Sequence, residues 1–170
     1  MENNFIYLDN ASTTPLSENV LNIINSTYRN YWHNPSSTYE LGIKCSTYLE
    51  KIRSKIAFIF EAEPEDIIFT SGSSESTNIV FNNIYENFKN GRVVISNVEH
   101  QATTICANKL RKQNWDIYEW TVNNDGILNI SNIKNFLNND TKLVSIIWGQ
   151  SEIGTIQPCL LYTSPSPRDS

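Results

Sequence analysis

The chain has 170 residues, 39% of them hydrophobic and 18% charged, which is enough for one ordinary domain with a sizeable core and excludes a complete large two-domain enzyme. Thirteen basic residues against 18 acidic ones give a net charge of -5 and a pI near 5.0. That balance leaves no electrostatic footprint for direct binding to nucleic acid or an anionic membrane, so small molecules or other proteins are the expected partners.

Met1-Glu2-Asn3-Asn4 carries neither a basic nor an apolar signal region. The longest apolar run, Ile56 to Phe60, falls far short of the roughly 20 residues of a membrane helix. Cys45, Cys106 and Cys159 are widely spaced, which fits neither a disulfide framework nor a metal knuckle and suits a reducing compartment. A cytoplasmic protein without a metal centre is expected.

Ile6-Tyr7-Leu8 is a short apolar segment followed by the turn and capping cluster Asp9-Asn10-Ala11-Ser12-Thr13-Thr14-Pro15. Ser17 predicts the N-cap of a helix to about Tyr31, with Val20, Leu21, Ile24 and Tyr28 near helical spacing. His33-Asn34-Pro35-Ser36-Ser37 breaks that pattern, since Pro35 biases Asn34 away from the helical region. A second helix is predicted over Thr38 to Phe60, with Leu41, Cys45, Tyr48, Leu49, Ile52, Ile56 and Ile59 as its stripe.

From Pro64 the pattern changes to alternating strands and helices. Ile67 to Thr70 reads as a short buried strand, Ser71 to Ser74 as a tight turn, and Glu75 to about Phe88 as a helix. Val93 to Ser96 is the next strand, Gln101 to Lys112 a helix, and Asp116 to Val122 a third strand. Asn124-Asp125-Gly126 turns the chain, Ser131 caps a short helix to Leu137, and Lys142 to Trp148 is a fourth strand. This alternation predicts an α/β domain with a mainly parallel sheet and flanking helices over 63–158, preceded by an N-terminal helical segment over 1–62.

The last twelve residues differ from the rest. Cys159 to Ser170 contains no Asn or Ile but three Ser and two Pro, whereas the chain up to Pro158 is rich in Asn and Ile. The segment 159–170 resembles the read-through translation of a sequencing adapter and is set apart from fold reasoning. The alternative is a natural Pro/Ser-rich flexible terminus.

In open α/β sheets ligands bind beyond the carboxyl ends of the strands, and three such ends carry suggestive residues. After the first predicted strand, Gly72 allows close backbone approach while Ser73 and Ser74 place hydroxyls beside the free N–H groups of a helix start, a combination suited to phosphate. The plainer reading is a Ser-capped helix. After the second, His100 is placed to act as acid or base or to lie against a planar ligand; the alternative is a helix-start histidine satisfied by nearby backbone. After the fourth, Gly149-Gln150-Ser151-Glu152-Ile153-Gly154-Thr155 sets polar side chains between two glycines, or is simply a turn into the next helix. A phosphate-bearing planar cofactor would satisfy all three loops together.

Five segments carry a resemblance in their order and approximate spacing: Tyr7 to Pro15, His33 to Ser37, Ile67 to Ser76, Glu99-His100 and Ser151 to Pro158. Together they resemble cysteine desulfurases, the pyridoxal-phosphate enzymes of the class V aminotransferase group. The resemblance implies an incomplete fold type I large domain whose full sheet has the order 3-2-4-5-6-7-1, with strands 1 to 4 supplied here and strand 1 near Ile67. It implies pyridoxal 5'-phosphate as cofactor, with Gly72, Ser73 and Ser74 at the phosphate, His100 stacked on the pyridine ring and assisting proton transfer, and Ser151 at the phenolic oxygen. Ser73-Ser74 stands where the family usually has Ala-Thr, and Gln150-Ser151 where it usually has Asn-Asn. Ala11, Ser12, Thr13 and Asn34 would lie near the substrate entrance.

The activity so implied is conversion of L-cysteine to L-alanine with sulfur loaded on an enzyme cysteine, for iron-sulfur cluster assembly or tRNA thiolation. The enzyme would be a homodimer serving a sulfur acceptor or scaffold protein. The family's Schiff-base lysine, pyridinium aspartate and nucleophilic cysteine come later than Pro158, so a fragment of this length is expected to be inactive and marginally stable. Another class V enzyme, such as a selenocysteine lyase or an aminotransferase, and a non-catalytic binding module are the alternatives.

Overall fold

The structure is a computed structural model that describes residues 6–159. Most of the terminal segment set apart above, from residue 160 onward, therefore lies outside the described residues. The chain divides into two compact units, one through Phe69 and one from Thr70.

The first unit is built on two helices, α1 (Glu18–Asn30) and α2 (Glu40–Ile59). As the sequence predicts, Ser17 caps α1, its hydroxyl oxygen accepting from the Val20 N–H at 3.4 Å, and Tyr31 closes it. No residue of α1 is buried. α2 buries Gly42, Cys45 and Ala57. Gly42 is fixed by close approach rather than by conformation: a Cβ there would lie 2.3 Å from the Ser37 carbonyl oxygen. The Tyr31 and Tyr48 rings stack at 4.0 Å between centroids.

The predicted strand over Ile67 to Thr70 does not form. Those residues follow a single helical turn at Pro64–Asp66 and join no ladder among the described residues, with Ile68 69% and Phe69 46% exposed. A short apolar run becomes a strand only where another strand lies alongside. Here the Ile67 carbonyl accepts from the Arg53 guanidinium instead.

The second unit holds a three-stranded parallel sheet of β1 (Arg92–Ser96), β2 (Asp116–Trp120) and β3 (Thr141–Ser145) in the order β2-β1-β3. This is the 3-2-4 part of the expected sheet. β1 pairs with β2 from Arg92↔Asp116 to Ser96↔Trp120 and with β3 from Val93↔Leu143 to Ile95↔Ser145. Successive side chains point to opposite faces, and both faces are covered. Val93 and Ile95 pack with Phe81, Cys106, Leu110 and Trp115, supplied by α3 (Ser73–Asn87), α4 (Gln101–Arg111) and the residue before β2. Val94 packs with Trp120, Leu128 and Phe136, the last from the short α5 (Ile133–Phe136). A continuous apolar run in the central strand of a parallel sheet follows from this double burial.

Several boundaries differ from expectation, among them the start of α3 at Ser73 rather than Glu75 and the end of β2 at Trp120 rather than Val122. Asn129, not Ser131, caps the single turn Ile130–Asn132, its carboxamide oxygen accepting from the Ser131 N–H at 3.1 Å and from the Ser131 hydroxyl at 2.6 Å. β3 stops at Ser145 rather than Trp148, because the Ile147 N–H turns to the Glu99 carboxylate instead of a ladder.

Candidate functional site

A parallel sheet delivers all its carboxyl ends to one edge, and three loops of the second unit meet there. β1 leads through Asn97 to Glu99 into His100, and β3 leads through Ile146 to Trp148 into the loop that carries Ser151. Ser76 and Thr77 of α3 line one cavity together with Ser145 and Ile146, which brings the start of α3 to the same edge. Asn97 ties the edge to β2, donating its N–H to the Trp120 carbonyl at 2.9 Å and accepting from the Val122 N–H at 3.1 Å.

The turn into α3 is held from below and open above. Gly72 adopts φ 156°, which L side chains rarely take, and faces empty space. Its carbonyl points into the helix and accepts from the Ser76 N–H at 3.1 Å. The Thr70 hydroxyl is engaged with the Gly72 carbonyl and the Ser76 hydroxyl, at 3.2 and 2.8 Å. Glu75 turns its carboxylate back to accept from the Ser71 N–H at 2.6 Å. That bond, with a second from the Ser71 side chain, holds the Glu75 carboxyl below the ordinary carboxylate range.

What remains unengaged is the part a phosphate needs. α3 has no side-chain cap, and the N–H groups and hydroxyls of Ser73 and Ser74 take no partner among the described residues. Both serines are exposed. Unpaired N–H groups at the start of a 15-residue helix carry partial positive charge directed at the opening.

His100 is the N-cap of α4, and its Nδ1 accepts from the Ala102 N–H at 3.2 Å. With Nδ1 as acceptor, the neutral ring carries its proton on Nε2. The backbone-satisfied role weighed from sequence is thus present, and it leaves Nε2 and the exposed ring available. Its neighbour Glu99, to which the sequence reading assigned nothing, accepts from the Ser96 hydroxyl at 2.8 Å and from the Ile147 N–H. One carboxylate so joins the ends of β1 and β3. Its sequence signals are an acidic residue three positions past the end of β1, next to the histidine, and a place in one of the five segments that carry the resemblance.

The Ser151 loop closes on itself as a hairpin. Gly149 bridges Ile156 in antiparallel fashion, the Gln150 N–H donates to the Thr155 carbonyl at 2.9 Å, and the Gln157 N–H donates to the Trp148 carbonyl at 2.7 Å. Gly154, at φ 73°, makes the tight return. The Gln150 side-chain oxygen accepts from the N–H groups of Glu152 and Ile153 at 2.6 and 2.9 Å, so Gln150 organises the loop. Ser151 sits exposed near its tip, with no hydrogen-bond partner for its side chain among the described residues.

The other predicted residues belong to the first unit. Ala11 and Ser12 lie in an exposed turn closed by the Ser12 N–H on the Asp9 carbonyl at 3.1 Å, with Thr13 just beyond it. Asn34 is exposed and its side-chain oxygen accepts from the Ser36 N–H at 2.9 Å. Cys45 and Cys106 are buried. Burial pushes the Cys106 thiol above its ordinary range, against a smaller opposing pull from Lys109.

The family described as Aminotransferase class-V matches residues 6–161. The chain belongs to that family. Its curated relatives include the mitochondrial cysteine desulfurase of Candida maltosa, 34% identical over 156 residues, and the cysteine desulfurase IscS of Dictyoglomus turgidum, 35% identical over 155 residues. Each alignment covers 90% of this chain but only 32% and 39% of the relative, so the chain spans well under half of their length.

Among solved structures, a NifS-like protein superposes with a TM-score of 0.85 at 30% identity, covering 90% of this chain and 43% of that one. A protein described as SspA in complex with cysteine superposes at 0.82 with 26% identity, covering 89% and 44%. Class V enzymes depend on pyridoxal 5'-phosphate. The open start of α3, with its unpaired N–H groups and hydroxyls, fits the phosphate of that cofactor.

Proposed function

We propose that the protein carrying this chain is a pyridoxal-phosphate-dependent cysteine desulfurase. It converts L-cysteine to L-alanine and passes the sulfur to one of its own cysteines. The observation that carries this reading is the shared sheet edge: an open helix start at Ser73 and Ser74, an exposed imidazole at His100 and an exposed hydroxyl at Ser151. The names borne by the relatives support the choice of cysteine as substrate.

When bound, pyridoxal phosphate supplies an electron sink for the substrate's Cα. Gly72 keeps the approach clear, and Ser73 and Ser74 bind the phosphate through backbone N–H groups and hydroxyls. His100 orients the ring by stacking and moves a proton at Nε2, while Ala102 keeps Nδ1 occupied. Ser151 donates to the cofactor's phenolic oxygen. Ala11, Ser12, Thr13 and Asn34 contribute to the substrate entrance.

On this reading the Schiff-base lysine and the nucleophilic cysteine belong to sequence beyond Pro158, and the 170-residue chain is inactive alone. The intact enzyme is a cytoplasmic homodimer that delivers sulfur to an acceptor or scaffold protein for iron-sulfur cluster assembly or tRNA thiolation.

The test is expression from the uninterrupted source gene. The full-length protein is expected to take up pyridoxal phosphate, read as visible absorbance, and to form alanine from cysteine, whereas the 170-residue chain forms none. A full-length protein that binds the cofactor but leaves cysteine unchanged would remove the desulfurase assignment, and one that binds no cofactor would remove the whole reading.

A further inference from the structure

We propose that Gln157 is a positioning residue for Ser151, acting by clamping the Trp148–Gln157 hairpin onto the turn between Asn123 and Leu128. The inference rests on the reading above that Ser151 faces the cofactor.

Gln157 is 1% exposed, and both ends of its side-chain amide are satisfied by the turn. Nε2 donates to the Gly126 carbonyl at 2.7 Å and Oε1 accepts from the Leu128 N–H at 3.0 Å. The Gln157 backbone N–H closes the base of the hairpin on the Trp148 carbonyl. One residue therefore fastens the hairpin to itself and to its seat.

Two further observations mark the same seat. The Thr155 hydroxyl donates to the Asp125 carbonyl at 3.1 Å. Gly126, at φ 75°, comes so close that a Cβ there would lie 2.7 Å from Ile153 Cδ1 and 3.1 Å from Thr155 Oγ1. The turn has its own brace, since the Asn123 side-chain oxygen accepts from the N–H groups of Asp125 and Ile127 at 3.0 and 2.9 Å. The seat is thus formed locally. Ser151 takes its place from the hairpin, and the hairpin takes its place from this seat.

The chemistry of the clamp dictates its test. Leucine at 157 would leave the Gly126 carbonyl and the Leu128 N–H unpaired in a dry site. A carboxylate could still accept from Leu128 but would set a charge against the Gly126 carbonyl. A protonated carboxyl group restores both donor and acceptor. Gln157→Glu should therefore work as a clamp in acid and fail above the titration of the introduced group.

In the full-length protein, amide hydrogen exchange at Leu128 and the pH midpoint of the bound pyridoxal phosphate's visible absorption are measured side by side. Gln157→Leu is expected to speed Leu128 exchange by roughly tenfold or more and to displace the absorption midpoint, with the cofactor still retained by the Ser73 and Ser74 cup. In Gln157→Glu, Leu128 exchange and the cofactor's visible spectrum are expected to match the parent's below about pH 5 and to depart from them near pH 8. That comparison needs only the parent and Gln157→Glu, so it decides the matter even if Gln157→Leu does not fold. Faster Leu128 exchange with an unmoved absorption midpoint overturns the positioning role and leaves the functional reading intact. A parent protein with no cofactor band overturns that reading, and the role assigned to Ser151 with it.

Discussion

In the unit from Thr70, β1 sends Val93, Val94 and Ile95 into two apolar clusters, each 2% exposed or less, while in the unit through Phe69 the helix α1 buries none of its residues. Yet α1 is the more strongly patterned segment: Val20, Leu21 and Ile24 recur at helical spacing, and all three are exposed. Amphipathic spacing tells which face of a helix is apolar, not whether anything covers it. The residues assigned to cofactor binding all belong to the unit with the closed core, as expected if contacts held to fractions of an ångström need a packed support.

The largest effect that could break this contrast comes from Phe81. It is 3% exposed and joins α3 to the cluster around Val93. Phe81→Ala should cost about 3–5 kcal/mol through lost burial and the cavity left behind, read as a lowered denaturation midpoint in the fluorescence of Trp115 and Trp120. A loss below about 1 kcal/mol would mean that the cluster is not the core of its unit. Ile24→Ala is the counterpart on α1, where the side chain is 49% exposed. Its expected effect lies within about 0.5 kcal/mol, and a loss comparable to that of Phe81→Ala would show that the α1 face is covered in solution.

The same contrast explains what could be read from the sequence. The ends of α1 were legible because Ser17 and Tyr31 act within four residues of their partners. The α/β class followed from alternating strand and helix patterns, and the 3-2-4 strand order from the family resemblance. The strand over Ile67 to Thr70 failed because a strand is a property of two segments, and pattern reports only one. Glu99 and Gln157 were missed for a similar reason: their partners Ile147 and Leu128 lie 48 and 29 positions away. Polar side chains that clamp distant backbone have no local signature. His100, Ser73 and Ser74 could be proposed from the sequence because the start of a helix is a local feature whose chemistry is fixed by the backbone.

The smallest expected effect concerns the exposed turn before α3, and it tests whether that turn depends on the core beneath it. The Glu75 carboxyl is depressed below its ordinary 4.5 by the bonds from Ser71. A depressed folded value means that the contribution of this contact is fully present above 4.5 and is lost as pH falls through the lower folded value. Because the carboxylate is wholly open to solvent, the loss should stay local. Acidification from about pH 6 through and below the ordinary carboxylate range should release the Ser71 amide to exchange beyond its intrinsic pH dependence, and Glu75→Gln should abolish that extra response. The protection of Val93 and Val94 should not follow it. If those core amides lose protection over the same interval and regain it with Glu75→Gln, the turn and the core form one cooperative structure, and the start of α3 owes its shape to the sheet as well as to its own hydrogen bonds.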